Sequence, residues 1–156
     1  MISLDIPGKG KIEIKHLVLD VNGTLAVDGT LLPGVADLLG DLGGQVAIHL
    51  LTADTHGKQE QIDHELGLKA DRIQAGGEAR QKAQYIAGLG AEHTAAVGQG
   101  ANDSLMLKEA AVGICVLSPE GTALETLLGA DLVLPDIESA LTCLLKPTRL
   151  IASLRA

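Results

Sequence analysis

The sequence of 156 residues is almost without aromatic side chains, having no Trp, no Phe and one Tyr, Tyr85. Its core must therefore be assembled from Leu, Ile, Val and Ala, which suits helices laid on a buried sheet. Cysteine is equally scarce. Cys115 and Cys143 stand apart, without metal-ligand or redox spacing, and read as reduced buried thiols. Twelve Lys and Arg against twenty Asp and Glu leave a formal net charge of −8. That balance excludes nucleic acid as a partner, because binding its backbone needs clustered cations that displace counterions. No apolar run approaches the roughly 18 residues of a membrane helix, and the N-terminus lacks the basic and apolar regions of a secretory signal. The reading is a cytoplasmic protein with no membrane partner.

What is present is a 46% hydrophobic chain with 19 glycines, enough for one packed domain spanning residues 1–156. Apolar runs of strand length occur at 12–20, 46–51, 95–98, 112–116 and 132–134, with a weaker one at 72–74. Segments of helical period lie between them at 34–42, 57–66, 78–89 and 102–110. Such alternation predicts an α/β fold of three layers, a mainly parallel sheet with helices on both faces. "MISLDIPGKGKIEI" predicts an N-terminal hairpin at the sheet edge, and Pro147 should end or kink the C-terminal helix.

Ligands of open parallel sheets gather beyond the carboxyl ends of the strands. Three polar sets fall there: Asp20 and Asn22, then Thr52 and Asp54, then "GQGAND" at 98–103. Together with a lysine they suit phosphoryl transfer through a covalent aspartyl phosphate. Asp20 is the candidate nucleophile, with a cation offsetting its repulsion from phosphate. Thr52 and Ala53, at a helix start, are candidates for binding the non-bridging oxygens. Lys82 would supply a fixed positive charge where phosphoryl charge spreads; Arg80 is the alternative cation. Asn102 and Asp103 would hold the metal and orient the lysine, and Thr24 is a supporting residue. A dinucleotide site is disfavoured, because the third glycine of that fingerprint would fall at Asp103. His56 and His64, eight apart, make no persuasive zinc pair.

With "DVNGT", the Thr of "LLTADT", a lysine beside a helix and "GQGANDSLMLKEA" in this order, residues 17–116 resemble a phosphohydrolase of the haloacid dehalogenase superfamily. The last motif also resembles the matching loop of P-type ATPases, so the likeness is to a small soluble ATPase-like branch. The resemblance implies Mg²⁺ as cofactor, held near Asp20, the Asn22 main-chain carbonyl, Gln99 and Asp103, and a phosphorylated substrate. About thirty residues separate Asp20 from Thr52, and about thirty more reach Lys82. Neither interval holds a cap domain, so an open site covered by a neighbouring subunit, a homo-oligomer, is one expectation.

Two residues depart from the family pattern. Asn22 stands where a second carboxylate protonates the leaving group and activates water, a service worth roughly 10²–10⁴-fold. Gln99 replaces a metal-binding aspartate, and a neutral amide holds a hard cation less well. Asp28, Asp54 and His56 are the nearby candidates for a substitute base. Two readings stay open: a slow phosphomonoester phosphatase acting through Asp20, and a catalytically silent module that binds phosphate or a protein.

Overall fold

The structure, a computed structural model, describes residues 1–54 and 57–156. Thr55 and His56 lie outside the described residues, and with them the readings of His56 as a substitute base or as a partner of His64. Strands β1 (Ile2–Ile6) and β2 (Gly10–Ile14) form the expected N-terminal hairpin. After it come β3 (His16–Asp20), the short β4 (Ala26–Val27) and β5 (Thr30–Leu31), and α1 (Val35–Gly43). Then follow β6 (Ala47–Thr52), α2 (Gln59–Leu66), β7 (Asp71–Arg72), α3 (Glu78–Leu89) and β8 (Thr94–Gly98). A 3₁₀ turn (Ala101–Asp103) leads into α4 (Ser104–Glu109), followed by β9 (Val112–Val116), α5 (Leu124–Gly129), β10 (Leu132–Leu134), α6 (Ile137–Leu145) and α7 (Pro147–Leu154).

Six strands make the central sheet in the order β10-β9-β8-β3-β6-β7, with every pairing parallel. The chain leaves β3 toward β6 and β7 and later returns to its other side with β8, so the order reverses at β3. That reversal opens a crevice at the carboxyl end of β3, where Asp20 is the last strand residue. The strand is buried on both faces. Leu17 and Leu19 join α1, α6 and α7 in one apolar layer, while Val18 packs with α3 and α4 in the other, as a period of two requires.

The expected run 12–20 is broken at Lys15, with Ile12 and Ile14 belonging to the hairpin and His16 onward to the sheet. The hairpin forms a two-stranded sheet of its own and packs β1 against α7, instead of extending an edge. Its inward Ile2, Leu4 and Ile6 share a core with Leu150 and Leu154 of α7. Pro147 ends α6 and opens α7 at its first turn, where a missing N–H costs nothing. Asp28 and Gly29 both have positive φ, 51° and 76°, the geometry of the two-residue turn that closes β4 on β5.

Tyr85 lies on α3 over the sheet. Its hydroxyl donates to Asp71 Oδ2 at 2.7 Å and meets His49 Nδ1 at 3.1 Å, and His49 Nε2 lies 3.1 Å from His16 Nδ1. Burial and the neighbouring His16 hold the His49 imidazole below the ordinary histidine range.

Candidate active site

The carboxyl ends of β3, β6 and β8 bring together the side chains singled out in the sequence. Lys82 enters from α3, fully buried, and joins two carboxylates: its Nζ lies 2.7 Å from Asp20 Oδ1 and 2.6 Å from Asp103 Oδ1. It also donates to Asn102 Oδ1 at 3.3 Å. The cation of this cluster is therefore Lys82, while Arg80, two residues earlier on α3, is exposed. Thr24 donates to Asp20 Oδ2 at 3.0 Å, so both oxygens of Asp20 are oriented. The second oxygen of Asp103 accepts the main-chain N–H groups of Gln99 and Gly100, each at 3.0 Å.

Two carboxylates facing one ammonium leave an excess negative charge in a buried place. Burial, and then the charge of Asp103, push the Asp20 carboxyl up against the opposing pull of Lys82. Burial works against the Lys82 charge as well, yet Asp20 and Asp103 hold its pKa above the ordinary lysine range. Such a cluster favours the approach of a cation to the outer side of Asp20.

A cleft of about 400 Å³ opens there, lined by Asp20, Asn22, Ala53, Gln99 and Asn102 among others. Thr52 is fully buried and one layer behind this wall. Its Oγ1 accepts from Asn22 Nδ2 at 3.0 Å and from the Asp54 main-chain N–H at 2.8 Å, so its one proton remains to be donated. Gln99 is 8% exposed and gives its Nε2 to the Gly121 carbonyl at 3.3 Å. Two of the three candidate substitute bases fall elsewhere. Asp54, at φ 51°, accepts the Gln59 N–H with its carboxylate at the start of α2, and Asp28 sits at the β4–β5 tip. Neither lines the cleft.

Two cleft residues escaped the sequence reading, Glu78 and Glu120. A signal for each was present. Glu78 precedes Lys82 by four and so shares its face of α3, and Glu120 follows β9 at the carboxyl end of the sheet, where site residues collect.

The packing behind the cluster explains Gly98. A Cβ there would lie 2.6 Å from Asp103 Cγ, closer than any tolerable contact. Gly98→Ala is expected to displace the Asp103 carboxylate and to cost about 1–3 kcal/mol, as overpacked sites do; chemical denaturation measures it.

Comparison with known proteins gives the lineage of this arrangement. No family model matches the chain. Over 92 residues, 56% of this chain and 99% of the relative, it is 40% identical to an uncharacterized protein of Methanocaldococcus jannaschii, and the two belong to one family. Among solved structures, a zinc-transporting PIB-type ATPase in its E2.Pi state is 29% identical with a TM-score of 0.63, covering 80% of this chain and 20% of the ATPase. The 3-deoxy-D-manno-octulosonate 8-phosphate phosphatase of Moraxella catarrhalis, in complex with magnesium, phosphate and its octulosonate, matches 91% of this chain and 94% of its own. Its TM-score is 0.64 at 21% identity, a likeness of fold. With the motif residues converging on one crevice of this shared fold, the family is plain. The chain belongs to the haloacid dehalogenase superfamily. Superfamily members in this comparison include both phosphatases and the catalytic part of P-type ATPases. In this member, no helix among the described residues is long and apolar enough to cross a membrane.

Proposed function

We propose that the protein is a Mg²⁺-dependent phosphomonoester phosphatase that works through phosphorylation of Asp20, as one capless domain over residues 1–156. The observation that carries this reading is the Asp20 carboxylate, on the cleft wall and ion-paired to a buried Lys82 that is itself fixed by Asp103. Lys82 is thus within bonding reach of both the nucleophile and the orienting group.

The oxygen donors on the cleft suit a hard cation. Mg²⁺ is held by one or two carboxylates together with substrate phosphate, and Asp20, the Asn22 main-chain carbonyl and the Gln99 amide oxygen would hold it here. Asp103 would contribute through Lys82, since its two oxygens accept from Lys82 and from two main-chain amides. When bound, the ion supplies positive charge between carboxylate and phosphate.

In the first step an Asp20 oxygen attacks phosphorus, the ester bond breaks and the alcohol departs with a proton drawn from water. Lys82, behind the wall, balances charge on the phosphoryl oxygens, Ala53 lines the cleft, and Thr52 holds Asn22 in place. In the second step water attacks the same phosphorus, the bond from phosphorus to the Asp20 oxygen breaks, and the proton of that water passes to solvent. Asn22 cannot take the proton of that water, so the aspartyl phosphate should hydrolyse slowly.

The test is the time course of p-nitrophenyl phosphate hydrolysis at millimolar Mg²⁺, with Asp20→Asn as control. A burst of nitrophenolate followed by slow turnover, absent from the control, is expected. Absence of both in the folded wild type would favour the second reading, a silent phosphate-binding module. Asn22 and Gln99 support that alternative, since each puts a neutral amide where the family pattern has a carboxylate.

A pH dependence follows from Asp20. Its folded pKa is raised, so the stability it contributes is complete below the ordinary aspartate range and is lost as pH rises toward about 7. Metal-free protein is therefore expected to melt lower at pH 8 than at pH 5. Mg²⁺ should raise the melting temperature more at pH 8, where Asp20 is ionised; scanning calorimetry at both pH values checks this. Equal shifts at both would separate metal binding from Asp20.

A further inference from the structure

Phosphoryl transfer from an alkyl ester needs a proton for the alkoxide that departs, and Asn22 stands where that proton would be given. Asn22 lies on the cleft wall with Asp20. Its amide is fixed, because Nδ2 donates to Thr52 Oγ1 at 3.0 Å and Thr52 Oγ1 is held in turn by the Asp54 N–H at 2.8 Å. The amide oxygen is an acceptor and has no proton to give.

The protons around Asp20 are committed elsewhere. Lys82 has three on its ammonium, and Asp20, Asp103 and Asn102 each take one, at 2.7, 2.6 and 3.3 Å. Against the effect of burial, Asp20 and then Asp103 hold that ammonium above the ordinary lysine range, which makes it a weak acid. Thr24 gives its hydroxyl proton to Asp20 Oδ2 at 3.0 Å. Glu78 is kept below the ordinary glutamate range by its own main-chain N–H and then that of Gly76, so on this wall it is a carboxylate. Glu120 counts the Asp28 N–H, at 3.1 Å, among its partners and meets it as an acceptor. What the wall offers a departing group is hydrogen bonds. Asn102 gives its oxygen to Lys82, which leaves the Nδ2 protons of a neutral amide for the cleft it lines.

We infer that the site favours acyl phosphates, mixed anhydrides of phosphate and a carboxylic acid, over phosphate esters of alcohols, and that Asn22 sets this choice. This rests on the phosphatase reading through Asp20 and extends it from esters to a second class of phosphoryl donor. An Asp20 oxygen bonds to phosphorus, the bond from phosphorus to the acyl oxygen breaks, and the carboxylate leaves with the electron pair. No proton is required, since a carboxylate is stable as the anion at neutral pH. The aspartyl phosphate so formed is itself a mixed anhydride. The phosphoryl group therefore passes between bonds of one kind, whereas from an alkyl ester it would have to enter a more reactive one. Water then attacks phosphorus, the bond to the Asp20 oxygen breaks, and inorganic phosphate leaves while the proton of that water passes to solvent. Before cleavage the acyl end is uncharged, so Glu78 does not oppose its entry. A nucleoside triphosphate is also an anhydride, but no aromatic side chain lines the cleft among the described residues, and Tyr85 is bonded to Asp71 and His49. A base would find no ring to stack on. At about 400 Å³ the cleft is at the small end of ligand pockets and suits a compact donor.

Acetyl phosphate and ethyl phosphate differ by a carbonyl oxygen and little in size, so the pair isolates the leaving group. Rapid-quench measurement of the first turnover at millimolar Mg²⁺, with Asp20→Asn as control, gives the rate of phosphoenzyme formation from each. Acetyl phosphate is expected to be faster by about 10²-fold or more, the scale of a missing proton donor, and Asn22→Asp should narrow that ratio by a similar factor. A ratio near one in the wild type, a ratio that Asn22→Asp leaves unchanged, or faster labelling by ATP than by acetyl phosphate overturns the inference. With any of these, a burst from p-nitrophenyl phosphate would leave the phosphatase reading standing. Absence of phosphoenzyme from all of these donors, in folded protein, overturns both.

Discussion

Exchange of Lys82 for methionine is expected to lower the folding free energy by about 3–5 kcal/mol, the cost of breaking a buried ion pair by removing one partner. Methionine roughly conserves the chain's length and apolar stem, so the loss would come from charge. Lys82 is fully buried, and its partners Asp20 and Asp103 are 5% and 0% exposed. Without the ammonium, two carboxylates that now meet it at 2.7 and 2.6 Å would confront each other. One would have to take up a proton or draw in water. For a chain of this size the melting temperature should fall by roughly ten degrees. Adding Asp103→Asn to Lys82→Met should recover part of the loss, since neighbouring groups of one network are not additive. A loss below about 1 kcal/mol, the scale of an exposed pair, would show that the cluster is solvated.

The second large effect is a gain. Asn22→Asp should raise steady-state phosphatase turnover by about 10²-fold or more, the usual worth of a positioned acid–base group. It should also shrink the burst, because the aspartyl phosphate would no longer accumulate. Local bonding supports the exchange. Asn22 now donates to Thr52 Oγ1, which also accepts from the Asp54 N–H. An aspartate would reverse the first bond, with the Thr52 hydroxyl turning to donate while the second bond stays. Rapid-quench measurement of phosphoenzyme and turnover in the same samples decides the matter. Unchanged turnover with an unchanged burst would place the slow step outside proton transfer.

Much of the site was legible because continuous apolar strands make their last residue unambiguous. Residues 112–116 and 132–134 emerged as strands and 78–89 as a helix with those bounds. Once β3 and β8 were recognised, Asp20 and the 98–103 loop had to share an end of the sheet. What sequence periodicity could not convey is depth across a layer. Thr52 closes β6 one residue beyond the expected run 46–51, yet lies behind Asn22, and Ala53 reaches the cleft instead. Helix α5 was missed because its leucines give no inward stripe: Leu124 and Leu128 are exposed, and Thr126 is the buried residue. Strands β4 and β5 have two residues each, too few for an alternation. For the N-terminal hairpin the alternation was readable, but its partner was not. Helix α7 starts 145 positions after the start of β1, and no local pattern joins elements so far apart.

The solitary tyrosine has a practical consequence. With no Trp or Phe in the chain, Tyr85 supplies the near-ultraviolet absorbance and intrinsic emission of the folded protein by itself. Its phenol donates to the Asp71 carboxylate, a contact that quenches phenol emission and is lost when the helix leaves the sheet. Tyr85 lies three residues, less than one turn, after Lys82 on α3. The light emitted by one ring is therefore a label-free gauge of whether the helix that carries the site's lysine is docked.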